Sequence, residues 1–323
     1  MKYKIFFCAV LAIIFSMSSV TFAASSAYEL LSRIERDTYG VEREGAILQR
    51  INRLEKDYSG RNLQEDMNTR IEALYTIIYD NSATPGVMAK INALEWNIAH
   101  EVKIGGIKER IGNLEKTLLG EENDGTINDR LHELVKMSFS SEDIPMYEIQ
   151  LPADTLIKIS LVDGVGTRTA QVGDAVRFRV AEDVIVGGNL VFAKGLYGVG
   201  VVDTVKKPNG WGSNGKLNIN FYKVNCMDGQ EIDTCVDYAA MEIMAEKKMV
   251  LGAAIVGMDL NDDWNRVLVH GKNLEAPAGT ELYIQIKNNV AVYALKGGRG
   301  SLTINDTTYD VDDDDDFLFK ENE

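Results

Sequence analysis

ILQRINRLEKDYSGRNLQED, residues 47–66, is the stretch that decides the fold. Its apolar residues stand at positions i, i+4 and i+7, so their side chains share one face of an α-helix. The same spacing returns every 20 residues between positions 27 and 134, which makes six units. One amphipathic helix cannot bury its apolar stripe alone, so neighbouring units must stack. The stripe consists of Ala27, Ile47, Met67, Val87, Ile107 and Ile127, then Leu31, Ile51, Ile71, Ile91, Ile111 and Leu131, and finally Ile34, Leu54, Leu74, Leu94, Leu114 and Leu134.

Each unit also contains a predicted helix stop, six residues after its last stripe residue. Glycine, aspartate and histidine tolerate the left-handed backbone of a helix C-cap. Further glycines precede the next stripe, and Pro85 stands beside one of them, which argues against one uninterrupted coiled coil. We therefore expect helices of about 14 residues joined by short polar turns. The stop positions are Gly40, Gly60, Asp80, His100, Gly120 and Ser140.

Charged residues follow the same period. Two interpretations of them stay open. The first is a set of solvated helix flanks with local ion pairs, each worth tenths of a kcal/mol. The second is a charged stripe that recognises a partner polymer or protein. The basic positions are Arg50, Arg70, Lys90, Arg110 and Arg130, and the acidic positions are Glu35, Glu55, Glu95 and Glu115.

The first residues have the organisation of a secretory signal peptide. Lys2 and Lys4 precede an apolar run, and small residues follow at Ala23 and Ala24, which predicts a signal peptide over residues 1–23. No later segment has the ~20 apolar residues of a transmembrane helix. We expect an extracytoplasmic protein, in the periplasm or cell envelope of a bacterium. Its formal net charge of −15 argues against nucleic acid as a partner.

The helical period ends near residue 140, where Ser, Glu and Asp accumulate beside Pro145. Short alternating segments follow, such as residues 172–180 and 217–224, with glycines between them. This pattern predicts a β-sandwich or a small barrel. The predicted fold class is α+β in two separate domains. An all-α short-helix repeat array spans residues 24–140, a linker 141–151, an all-β domain 152–305 and an acidic tail 306–323.

A set of turn glycines and alternating apolar residues marks the β-region: Val172, Gly173, Asp174, Val176, Phe178, Val180, Ala181, Glu182, Asp183, Val184, Lys194, Gly195, Gly198, Gly200, Gly215, Lys216, Leu217, Asp228, Gly229, Gly271, Lys272, Pro277, Ala278, Gly279 and Thr280. With these residues the β-region resembles a domain of poorly characterised exported bacterial envelope proteins, whose helical repeats of the RI-x-x-LE type are similar to this array. More distantly, residues 172–295 are similar to the periplasmic β-barrel domain of the core subunit of type IV secretion and conjugation channels. Neither resemblance carries over a catalytic residue.

Two cysteines remain after signal cleavage, Cys226 and Cys235. Asp228 and Gly229 have the composition of the two central residues of a tight hairpin, which would place Cys226 opposite Glu231. Cys235 would then lie about 13 Å away along the strand, beyond disulfide distance. Either the chain bends back after this strand and the cysteines pair, or both thiols are free.

Few motifs in the sequence carry chemistry. The three histidines have no metal-binding spacing, and we predict no catalytic residue and no organic cofactor. The acidic tail offers candidate ligands for weakly bound Ca²⁺, although it lacks the glycine of a calcium loop. A run of aspartates is also typical of a solvated tail. The candidate metal ligands are Asp310, Asp312, Asp314, Asp316 and Glu321, and the candidate partner contacts are Trp211, Phe317 and Phe319.

The sequence therefore predicts an exported, non-catalytic scaffold or adaptor of the cell envelope. We expect it to act through protein–protein interaction, with an envelope protein or a cell-wall component as its partner, and homo-oligomers are consistent with the repeats. The alternative is a subunit of an envelope-spanning transport or secretion assembly. A third alternative is an envelope hydrolase, which would require a nucleophile or metal site assembled from residues that are distant in sequence.

Overall fold

The computed structural model describes residues 27–139, 143–209, 214–258 and 273–297. Six helices come first, as the repeat predicts. The five whose bounds are fully defined have 13 residues each, close to the predicted length. They are α1 (27–39), α2 (Ile47–Ser59), α3 (Met67–Tyr79), α4 (Val87–Ala99), α5 (Ile107–Leu119) and α6 (Ile127–Phe139).

Most of the predicted stripe forms the core of this helical array. Ile51, Ile91 and Ile111 are completely buried, whereas Ile47, at the start of α2, is exposed. The predicted stops are confirmed at Gly60, His100 and Gly120, which cap their helices in the left-handed conformation. Asp80 differs, because it ends α3 in an extended conformation, and Ser140 lies outside the described residues.

Four buried ion pairs, which we call the Arg–Glu ladder, join consecutive helices. In each pair a glutamate in the second half of one helix accepts hydrogen bonds from the arginine 15 residues later. Arg110 Nε lies 3.0 Å from Glu95 Oε1, and Arg110 Nη2 lies 2.7 Å from Glu95 Oε2. Each glutamate also accepts a backbone N–H from the following loop. The pairs are Glu35–Arg50, Glu55–Arg70, Glu95–Arg110 and Glu115–Arg130.

Both sequence interpretations of these charges were wrong. The ladder residues are neither solvated flanks nor a surface stripe, because the carboxylates and guanidiniums face each other between helices and are almost fully buried. At both ends of the array, the ladder position that would face a further unit holds an apolar residue. Leu30 occupies the arginine position of the first unit, and Val135 occupies the glutamate position of the last. A residue with no neighbouring unit to pair with is thus apolar, which avoids an unpaired buried charge.

The ladder has one gap, between α3 and α4, where Tyr75 and Lys90 replace the expected glutamate and arginine. Burial lowers the pKa of Lys90, with Asp143 acting in the opposite direction. The loop that follows α3 is also different, because Asn81 is buried in it and accepts the Gly86 N–H at 2.9 Å. The repeat is therefore irregular at one loop, which lies against the β-region.

The β-region is built around a closed barrel with the strand order β11-β2-β4-β7-β8-β9. This confirms the small barrel of the two predicted architectures. Phe178 and Phe221 meet edge to face inside it, with ring centroids 5.5 Å apart. Gly198 makes room for this pair, since a Cβ there would lie 2.2 Å from the Phe178 ring. The barrel strands are β2 (Leu156–Leu161), β4 (Ala175–Val180), β7 (Tyr197–Lys206), β8 (Lys216–Asn225), β9 (Glu231–Cys235) and β11 (Glu281–Ile286).

A four-stranded sheet with the order β1-β12-β6-β5 lies beside the barrel, and β10 pairs with β3. The range 141–151, predicted as a linker, contains β1, which pairs along its whole length with β12. Two short helices follow β9. The remaining elements are β1 (Met146–Leu151), β3 (Val165–Gly166), β5 (Val184–Val186), β6 (Asn189–Phe192), α7 (Tyr238–Glu246), α8 (Val250–Ile255), β10 (Glu275–Ala276) and β12 (Val290–Lys296).

Both cysteines are free thiols, so the open question about a disulfide is answered against it. The hairpin between β8 and β9 also differs from the prediction by one residue, since Asn225 rather than Cys226 lies opposite Glu231. Met227 and Asp228 are its central residues, because the Gly229 N–H donates to the Cys226 carbonyl. Gly229 follows with φ +82°. A type I turn followed by a left-handed glycine explains the shift, because it adds a residue to the loop.

Residues 226–230, which we call the hairpin tip, connect the barrel to the array. Asn81 donates to the Asp228 carbonyl at 3.0 Å, and Asn92 on α4 donates to the Met227 carbonyl at 3.1 Å. The Asp228 carboxylate is buried, where it accepts hydrogen bonds from the Cys226 thiol and the backbone N–H of Tyr293. Array and barrel are therefore joined by buried polar contacts, and their apolar residues form one continuous core.

A second set of contacts lies at the other end of α4. Trp96 Nε1 donates to Asp183 at 2.8 Å, and the Val102 N–H donates to the Lys194 carbonyl at 2.8 Å. Asp183 also accepts the Lys194 N–H, so this carboxylate holds α4 and the barrel loops together. Helix α4 is buried on both faces for this reason: one side packs in the array and the other on the β-region.

Candidate functional site

A groove on the array, with a volume of about 860 Å³, lies between α1, α2 and α5. We call it the array groove. Its residues come from units that are distant in sequence, because α5 begins against the end of α1. A Cβ on Gly106 would lie 2.7 Å from the Gly40 nitrogen, so only glycine permits this approach. The groove is lined by Thr38, Tyr39, Val41, Glu42, Arg43, Glu44, Arg53, Asp57, Lys108 and Glu109.

A hydrogen-bonded set of side chains forms the floor of the array groove. The Tyr39 hydroxyl donates to Asp57 Oδ2 at 2.7 Å, and Lys108 Nζ donates to Asp57 Oδ1 at 3.0 Å. Burial, together with the bond to Asp57, raises the pKa of Tyr39. Tyr39 therefore remains a protonated donor at neutral pH, and the Asp57 charge is balanced by Lys108.

The rim of the array groove is more exposed. The Arg43 guanidinium lies 4.8 Å from the Tyr39 ring centroid, within cation–π distance. Glu42 is engaged elsewhere: it accepts hydrogen bonds from Tyr28, Ser32 and Arg50, and the bonds from Tyr28 and Ser32 lower its pKa.

The remaining rim side chains set the charge of the array groove. Arg53, Glu44 and Glu109 are exposed, so both signs of charge face an incoming partner. Val41 adds an apolar contact, with 54% of its surface exposed. Chemically, the groove offers an aromatic ring with a stacked guanidinium, ion-pairing groups of both signs and a small apolar surface.

A smaller cleft of about 610 Å³ lies where α1 meets the barrel. The Arg33 guanidinium lies 4.6 Å from the Tyr79 ring centroid and 3.9 Å from Glu231 on β9. Tyr79 donates a hydrogen bond to Asp37, whose pKa is raised by burial. These residues connect α1, α3 and the barrel, so their evident role is to join the two parts of the chain.

All of the predicted site residues lie outside the described part of the chain. Trp211, Phe317 and Phe319, the candidate partner contacts, lie outside the described residues. The candidate calcium ligands Asp310, Asp312, Asp314, Asp316 and Glu321 also lie outside them. Among the described residues, no three His, Cys, Asp or Glu side chains are placed to hold a metal ion. None of the described helices has the length and apolar character needed to span a bilayer.

The sequence pattern missed the array groove for a physical reason. A 20-residue period predicts which units are neighbours along the chain, whereas the groove combines the first, second and fifth units. The Lys108–Asp57 contact spans 51 residues and follows no period. One signal was present: Gly105 and Gly106 form a double glycine before α5, which is typical of close backbone approach.

Comparisons with known proteins identify no family. No protein-family model and no curated protein matches the sequence. Among solved structures, the chain is similar to ComB10 of the Com type IV secretion system of Helicobacter pylori. The two share 14% identity with a TM-score of 0.25, over 45% of this chain and 96% of that one. A likeness this low supports no conclusion about function. Helical repeats followed by a β-domain, the organisation expected from the sequence, are present in the structure.

Proposed function

We propose that this protein is an exported, non-catalytic scaffold or adaptor of the bacterial cell envelope that binds a protein partner through the array groove. The observation that carries the proposal is the grouping of Tyr39 on α1, Lys108 on α5 and Arg43 on the loop between α1 and α2. The Arg–Glu ladder holds this loop, because Glu35 accepts the Arg43 N–H and pairs with Arg50. Tyrosine and arginine are enriched where protein interfaces gain most of their binding energy. A rigid support lowers the entropy that is lost when a partner binds.

The charges of the array groove favour a polypeptide partner. Lys108 pairs with Asp57, and Arg50 binds Glu42. The other charged side chains that line the groove are two cations, Arg43 and Arg53, and two anions, Glu44 and Glu109. A polyanion such as nucleic acid would need a surface dominated by cations. A protein surface carries both signs of charge and can match this arrangement.

The test is site-specific photo-crosslinking in cells. A photoreactive residue replaces Val41 or Arg53 in the array groove, and a matched control replaces Val172, which is 65% exposed on the β-region. We expect one discrete protein adduct from the groove positions, lost when Arg43→Glu is added, and none from Val172. The proposal fails if Val172 yields the same adduct, or if neither groove position yields one.

The second candidate is a subunit of an envelope-spanning transport or secretion assembly. The observation that favours it is the position of β1 at the edge of the four-stranded sheet, where none of the described strands pairs with its outer side. An unpaired strand edge promotes association with another chain. A defined multimer of the purified chain would support this candidate. A chain that stays monomeric would favour the adaptor.

A further inference from the structure

One arginine in the cleft between α1 and the barrel is shared by two carboxylates that come from different elements. Arg33 Nε lies 3.8 Å from Asp37 Oδ2 on α1, and Arg33 Nη2 lies 3.9 Å from Glu231 Oε1 on β9. Both distances exceed the roughly 3.2 Å of a hydrogen bond. Within the described part of the chain, the buried Arg33 Nε has no hydrogen-bond partner. The guanidinium therefore lies on the Tyr79 ring with unused hydrogen-bonding capacity.

Asp37 is poorly placed for a negative charge. Its side chain is only 17% exposed, and it stands in the last turn of α1, where the helix dipole disfavours an anion. Burial raises the pKa of Asp37, and the like charge of Glu231 adds to this, although the Tyr79 bond and Arg33 act in the opposite direction. Asp37 therefore takes up a proton at a higher pH in the folded chain than in the unfolded chain.

Glu231 has different surroundings, because it is 37% exposed and lies 3.6 Å from Lys223 on β8. Burial raises the pKa of the three tyrosines near Asp37, so they stay neutral across the acidic range. Asp37 is thus the most buried carboxylate of the cleft and the one whose charge acts directly on Arg33. The described titratable and charged groups that face Asp37 are Arg33 and Arg36 on α1, Tyr58 on α2, Tyr79 on α3, Tyr197 on β7 and Glu231 on β9.

We propose that this cleft is a pH-sensitive contact between α1 and the barrel: when Asp37 is protonated, Arg33 turns to Glu231 and bonds α1 to β9. A closer approach of about 1 Å brings Arg33 Nη2 within hydrogen-bond distance of Glu231. The cleft, with a volume of about 610 Å³, leaves room for this movement. A charge-assisted hydrogen bond then replaces a cation shared by two anions. The joint between array and barrel is therefore strengthened by acid.

The first experiment compares Asp37→Asn with the wild type by urea unfolding of residues 24–323, from about pH 7.5 to about pH 5. Asparagine removes the charge and keeps an acceptor for the Tyr79 hydroxyl. The raised pKa of Asp37 gives stability that is complete below the unfolded pKa and is lost as the pH rises through the folded pKa. We expect the variant to be more stable than the wild type at neutral pH, and the gap to close as the pH falls. A constant gap would overturn the proposal.

A double-mutant cycle tests the transfer of Arg33 to Glu231. Arg33→Met and Glu231→Gln, alone and together, give the coupling between the two side chains. We expect this coupling, as a ratio of unfolding constants at neutral pH, to be about fivefold greater in Asp37→Asn than in the wild type. Repulsion between Asp37 and Glu231 cancels in the cycle, so equal couplings would show that Arg33 does not move, and the proposal would fail.

The matched control is Asp203→Asn, which removes an exposed carboxylate from β7 outside the cleft and should leave the coupling at its wild-type value. If Arg33→Met does not fold, Arg33→Lys takes its place, because lysine keeps the charge and loses the planar fork that bonds a carboxylate. Neither experiment involves the array groove, so the crosslinking result is independent of this one.

Discussion

Among single residues, the partners of the Arg–Glu ladder have the largest energetic consequences. Glu95 and Arg110 are about 5% and 4% exposed, so neither charge can be rehydrated if the other is lost. Removing one partner of a buried pair typically costs about 3–5 kcal/mol, while replacing both by apolar groups costs much less. The ladder therefore specifies which helices are neighbours, and its net stabilisation is smaller than its hydrogen bonds suggest.

This gives a prediction for the Glu95–Arg110 pair of the ladder. We expect Arg110→Met alone to lower the free energy of unfolding by about 3–5 kcal/mol, because Glu95 is left charged and buried. Adding Glu95→Leu should recover most of that loss. Urea denaturation measures both. Lys116→Met, on the exposed face of α5, is the control and should change little. A double variant as unstable as Arg110→Met would contradict the account.

Cys226 gives a second prediction at this scale. Burial and the neighbouring Asp228 raise the pKa of its thiol well above the usual value. We expect iodoacetamide to modify the half-buried Cys235 first in the folded protein, and Cys226 only in urea, as read by mass spectrometry. Rapid modification of Cys226 in the native state would show that the hairpin tip is not packed against the array.

The raised pKa of Cys226 makes the free energy of unfolding depend on pH. A raised pKa means that the folded state keeps the Cys226 proton after the unfolded state has lost it. This contribution to stability is complete below about pH 8.5 and declines as the pH rises above that value. Cys226→Ala should flatten the alkaline fall of the unfolding free energy.

At the scale of elements, the sequence predicted the helices well and their lateral contacts poorly. The stripe at Ile91 and the cap at Gly120 follow from local periodicity and backbone preference, and both are confirmed. The ladder was misread because a charge that recurs every 20 residues has the same spacing on a solvent face and between helices. Only the identity of the neighbouring helix distinguishes the two cases. The missing glutamate at Tyr75 was visible in the sequence, but its meaning required the barrel to be in place.

The hairpin tip gives the prediction for this scale. We expect Asn81→Ala combined with Asn92→Ala to loosen the array from the barrel, since each change leaves a buried carbonyl at Asp228 or Met227 without its donor. Each loss should cost about 1–3 kcal/mol. Thermal unfolding of the double variant should separate into two transitions.

The control for this prediction is the pair Asn68→Ala and Asn113→Ala, whose side chains are exposed on α3 and α5. These changes remove the same chemical groups without touching the hairpin tip, so unfolding should keep the wild-type shape. If both double variants behave alike, Asn81 and Asn92 do not hold the array on the barrel.

At the scale of the whole molecule, α4 is the helix that connects the array to the β-region. Asn92 and Trp96 bond to the β-region, while Glu95 between them pairs with Arg110 inside the array. One helix is thus a shared element of both parts, and the core is continuous across it. A partner held at the array groove would therefore be fixed in position relative to the barrel. That geometry is what a scaffold requires.

The most direct test of this account is calorimetric unfolding of the chain from residue 24 to residue 323. Independent domains typically unfold in separate steps, whereas one cooperative unit gives a single transition with equal calorimetric and van't Hoff enthalpies. We predict a single transition for residues 24–323, because α4 cannot leave either part without disrupting the other. Two well-separated transitions in the wild type would contradict the central claim that array and barrel form one cooperative unit.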